Sequence, residues 1–96
     1  SRMNREIVQK IVAEEFDAKI EDNTYHIDEE RRLVVILQHS NGIMQVPKVQ
    51  SLTFTEHYLM LTTDEDRYYV ELDGVFGLKA GAPDLEKAEK RFGFHR

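Results

Sequence analysis

The sequence predicts an α+β domain: an amphipathic N-terminal helix packed on a curved antiparallel sheet of five or six strands, closed by a short C-terminal helix. Three observations carry this expectation. Ile7, Val8, Ile11, Val12, Phe16 and Ile20 recur at three- and four-residue steps, the spacing of one helix face. From Thr24 to Leu72 the pattern becomes a series of short apolar runs separated by polar turns, the rhythm of antiparallel hairpins. From Pro83 to Phe92 helical spacing returns.

Asn4 is a suitable N-cap, since its side chain can accept from a free N–H of the first turn, and the periodicity then runs to about Ile20. Glu6 with Lys10 and Glu15 with Lys19 lie at i,i+4 in the favourable order on the outer face. "EDN" (Glu21–Asn23) ends the helix. "TYHI" reads as a strand, "DEER" (Asp28–Arg31) as a polar tip, and "RLVVILQH" as a strand whose unbroken apolar centre, Leu33 to Leu37, suits cover on both faces. Asn41-Gly42 is a strong hairpin signal, because both residues accept positive φ. "IMQV" returns antiparallel, and Pro47, which has no N–H to donate, places that strand at an edge or a bulge. "VQSLTF" and "HYLMLTT" form a further hairpin, "DEDR" (Asp64–Arg67) the next tip, and "YYVEL" the last strand. The repetition of "DEERRLVVIL" in "DEDRYYVEL" follows from turn chemistry without duplication.

Ninety-six residues suit one domain, and Ser1-Arg2 ahead of Met3 reads as a vector remnant before a single α+β domain spanning 3–96. Hydrophobic residues at 41% and charged ones at 32% describe a globular chain, and the longest apolar run is too short to cross a membrane as a helix. No signal-peptide pattern is visible, and the sequence contains no cysteine, so disulfides, thiol catalysis and thiolate-bound metals are excluded. A cytoplasmic setting is expected. The net charge of −5, with charges mixed along the chain, argues against direct nucleic-acid binding, which needs clustered cations.

The segment "DGVFGLKAGAPDLEKAEKRF" places Gly74, Gly77 and Gly81 before a predicted helix, an arrangement that can cradle phosphate. Pro83 removes a donor from that helix start, Asp84 and Glu86 already occupy its positive end, and no Gly-Lys-Ser/Thr follows. The glycines are therefore expected to be turns between the last strand and a helix with a Leu85, Ala88 and Phe92 stripe. His26, His39, His57 and His95 have no zinc-motif spacing, although His26 and His39 could approach each other on neighbouring strands. Ser40 adjoins His39 but points to the opposite face of a strand, and the acidic tips match no calcium loop. No catalytic, cofactor or metal residues are assigned.

What remains is a surface argument. One amphipathic helix and one short one do not cover both faces of such a sheet, and a large bare apolar patch marks an interface. The expected function is a non-catalytic protein-interaction or regulatory domain, self-associating as a homodimer or pairing with another protein through an apolar sheet face. Val34, Val35, Ile36, Tyr58, Tyr68 and Tyr69 are the candidate interface residues. The first alternative is a small-ligand or enzymatic domain with a pocket between the first helix and the sheet, lined by His26, His39 and tyrosines. An acidic mimic of nucleic acid is a further, weaker alternative.

Overall fold

Asn4 caps helix α1 (Arg5–Glu14) as its residue type predicts: the side-chain oxygen accepts from the Ile7 N–H at 2.9 Å. α1 is shorter than the apolar spacing suggests. Glu15 is its C-cap, Asp17 then turns the chain with φ 50°, and the Ala18 N–H closes onto the Val12 carbonyl at 3.0 Å. Phe16 stays in the core, whereas Ile20 leaves with strand β1 and is 56% exposed. Its place in the helical period is a coincidence of spacing.

The computed structural model describes residues 3–82. After α1 come β1 (Lys19–Glu21), β2 (Thr24–His26), a 3-10 turn (Glu29–Arg31), β3 (Leu33–His39), β4 (Gly42–Val46), β5 (Ser51–Phe54), β6 (Leu59–Thr62), β7 (Arg67–Val70) and β8 (Val75–Ala80). The α+β class holds, but the expected single sheet is two antiparallel sheets: five strands in the order β1-β2-β5-β6-β7, and three in the order β4-β3-β8. The predicted C-terminal helix lies outside the described residues.

The division into two sheets has a local cause. The chain changes sheet between β2 and β3, between β4 and β5, and between β7 and β8. Two of these corners use a residue at positive φ, Arg32 at 54° and Lys48 at 57°. Either residue bears a left-handed conformation that costs free energy and that no propensity rule assigns to arginine or lysine. Pro47 stands at the second corner, immediately after β4, so its missing N–H interrupts no ladder. "DEER" is thus a passage between sheets, while "DEDR" closes the β6–β7 hairpin within one sheet, with the Thr63 N–H donating to the Asp66 carbonyl at 2.9 Å.

Two strands fall where none was expected. β1 pairs with β2 around Asp22-Asn23, Asp22 taking φ 56°. β8 pairs with β3 and includes Gly77, which had been expected to lie in a turn. Gly77 stands opposite Ile36, and a Cβ there would sit 3.8 Å from the Ile36 Cδ1, ordinary packing distance. The β3–β4 turn is centred on Ser40 and Asn41, one residue earlier than the Asn-Gly pair suggests, and Gly42 opens β4 at φ 137°.

The core lies between the inner faces of the two sheets and α1. α1 contributes Val8 and Val12, and the turn after it contributes Phe16; the large sheet contributes Leu52, Phe54, Leu59 and Leu61; the small one contributes Leu33, Val35 and Leu37 from β3, with Val46 and Val75. Each such side chain stabilises the fold by roughly 1.5–3 kcal/mol relative to exposure. Arg5 ties the helix to the large sheet: its guanidinium donates to the Phe54 and Thr55 carbonyls at 3.3 and 3.2 Å and lies 5.7 Å from the centre of the Phe54 ring.

Candidate functional site

Strand alternation sorts the residues of β3 into two sets. Leu33, Val35 and Leu37 point into the core, and Val34 and Ile36 point to the other side of the three-stranded sheet. Val35 is 0% and Val34 5% exposed, so neither offers surface to a partner; Ile36 is half-buried. Beside Ile36 on the same outer face lie Gln45 and Gly77, and beyond them the Gln38–Ile43 pair. Ile43 is 52% exposed. Phe76, the extra residue where the β3–β8 register shifts, is 41% exposed at the β8 edge.

The tyrosines occupy a second surface. Tyr69 lies on the outer face of the five-stranded sheet, 59% exposed, and packs edge-to-face on Tyr58 with ring centres 5.6 Å apart. Its hydroxyl accepts from Arg67 at 3.4 Å, a hydrogen bond that holds the Arg67 guanidinium above its ordinary pKa. Tyr68 points inward toward the core. An open groove of about 510 Å3 lies between β7 and the tip of the β3–β4 hairpin. Leu37, Met44, Tyr68 and Val70 give it apolar walls, and Gln38, His39 and Glu71 add polar groups. The groove does not lie between α1 and the sheet, where a pocket was expected.

His39 reaches this groove and accepts at Nδ1 from the Asn41 N–H at 3.3 Å. His26 is in the other sheet, 3.4 Å from the Glu21 carboxylate, so the two histidines are not on neighbouring strands. Among the described residues no three His, Asp or Glu side chains gather as a metal site, and no helix is long and apolar enough to cross a membrane. The glycine segment uses its own donors: the Gly74 N–H bonds the Glu71 carbonyl at 2.9 Å and the Gly81 N–H bonds the Arg32 carbonyl at 2.7 Å. Those groups are not offered to an anion.

Ile43, Met44 and Phe76 were missed from sequence. The available signal was "GIMQV", an uncharged strand beside a proline, which marks an edge but does not say which face water reaches. Comparison with protein-family models, curated proteins and solved structures finds no match.

Proposed function

We propose that this chain is a non-catalytic interaction domain that associates with a second copy of itself, or with another protein, through the three-stranded sheet. The observation that carries the reading is the outer side of that sheet, where Ile36, Ile43 and the neighbouring Phe76 present apolar side chains to water. Single exposed apolar residues are ordinary, but several on one small sheet mark an interface. Val34 and Val35, being buried, drop out of the interface, Ile36 remains in it, and Ile43 joins it. Sedimentation equilibrium over a wide concentration range tests the reading, with Ile36→Lys as the variant that keeps the fold and shifts the mass toward the monomer. A wild-type chain that remains monomeric and binds no protein partner through this sheet removes it.

A second reading is a small-ligand domain, favoured by the groove that brings His39, Tyr68 and Met44 together. Apolar walls with a few polar groups are the usual form of such sites. Its test is a small-molecule fragment library monitored by amide shifts. Saturable shifts confined to residues 37–40 and 68–74 support it.

A further inference from the structure

Every open sheet must protect its edge strands, whose unpaired N–H and C=O groups invite another strand. Among the described residues, three of the four sheet edges carry a recognised defence. β1 is three residues long with Lys19 and Glu21 among them. β7 is short and opens with Arg67. β8 has Lys79 and is interrupted by the register shift at Phe76. β4 has none of these. Gly42-Ile43-Met44-Gln45-Val46 contains no charge and no proline, keeps regular register with β3 throughout, and is exposed at its first four residues.

The direction of its free groups follows from the neighbouring bonds. The Gln38 N–H is donated to Gly74 on the β8 side, and the Leu33 carbonyl accepts from Val49 on the opposite side. Backbone direction alternates along a strand, so Val35, Leu37 and His39 bond toward β4. Their partners Val46, Met44 and Gly42 turn inward, leaving the N–H and C=O groups of Ile43 and Gln45 aimed outward.

We infer that β4 pairs with β4 of a second copy, antiparallel about a two-fold axis at Met44. This rests on the self-association reading above and supplies its geometry. In that register Ile43 faces Gln45 of the other copy and each pair exchanges both backbone bonds, while the two Met44 residues meet as a non-hydrogen-bonded pair. The same strand serves both sides because the arrangement is self-complementary, the defining property of a two-fold interface. An uncharged seam also suits two copies that each carry a net charge of −5. The two small sheets become one continuous sheet, and the exposed Ile43 side chains lie on its shared outer face.

The absence of cysteine permits a clean test. Sedimentation equilibrium up to about 1 mM protein measures the association, and single-cysteine variants under oxidised glutathione read the register. Met44→Cys is expected to cross-link rapidly, since a non-hydrogen-bonded pair sets the Cα atoms about 4.5 Å apart, within disulfide reach. Ile43→Cys and Glu21→Cys are expected to cross-link slowly. Gln45→Pro removes an outward N–H without touching the β3 ladder and is expected to weaken the dimer roughly tenfold or more, its amide spectrum remaining dispersed. A monomer at every concentration overturns both this inference and self-association. A dimer that survives Gln45→Pro and fails to cross-link at Met44→Cys overturns the β4 pairing alone.

Discussion

The inner faces of the two sheets are alike, and their outer faces are not. On the five-stranded sheet, the outward positions include cross-strand columns of small hydroxyls and charges beside Met60 and Tyr69. Thr24 bonds Thr53 at 2.9 Å, Ser51 bonds Thr62 at 2.5 Å, and Arg67 reaches Tyr69. These hydroxyls and the guanidinium share their hydrogen bonds across or along the strands, so that part of the face is satisfied in water. On the three-stranded sheet the outward positions include the aliphatic side chains of Val34, Ile36 and Ile43 beside Gln38, Gln45 and Lys79, and the aliphatic ones have no hydrogen bond to offer. A sheet face whose hydroxyls are paired across its strands gains little there from a partner. One with exposed aliphatics beside an uncharged edge strand gains free energy when something covers them.

The largest expected contrast lies between adjacent residues of β3. Val35→Lys places an ammonium in a fully buried position and is expected to cost about 4 kcal/mol or more, abolishing cooperative urea unfolding. Ile36→Lys, one residue along and on the other face, is expected to change stability by less than about 1 kcal/mol while lowering the solution mass. Equal loss of fold in both variants would erase the distinction between the faces.

Next in size is Leu61→Ala, at the fully buried centre of the large sheet, with an expected cost of about 3 kcal/mol in urea denaturation and no effect on association of the folded chain. Arg5→Met follows. It removes the guanidinium bonds to Phe54 and Thr55 and the ring contact while keeping the apolar stem, for about 1–2 kcal/mol by thermal melting. On the outer face of the large sheet, Thr53→Val leaves the half-exposed Thr24 hydroxyl to water, and a change of about 0.5 kcal/mol is expected with the mass unaltered. An oligomer weakened by Thr53→Val would move the interface to the wrong sheet. The smallest effect is from chelation: EDTA is expected to leave the melting temperature unchanged, since the described residues form no metal cluster.

The parts legible in the sequence are those set by local chemistry. Asn4 caps α1 because its side chain reaches a free N–H within one turn. The runs 33–39, 42–46, 51–54, 59–62 and 67–70 are strands because short apolar stretches between polar turns have nowhere else to bury their side chains. The parts that tertiary structure decided are those where residues distant in sequence compete. β1 was hidden because Ile20 continues the helical period of α1, and only pairing with β2 shows that it left the helix. β8 was hidden by Gly77, which weakens a strand in isolation but fits opposite Ile36.

The candidate interface divides in the same way. The sequence by itself determined that Leu33 to Leu37 carries apolar groups on both sides, and that Pro47 ends a strand unable to donate there. Which side meets the core was decided by the corners at Arg32 and Lys48, where the backbone adopts positive φ under tertiary constraint and folds one expected sheet into two. Alternation has a period of two residues and no absolute phase. Val35 is interior and Ile36 exterior only because the large sheet and α1 pack against the odd-numbered side of β3.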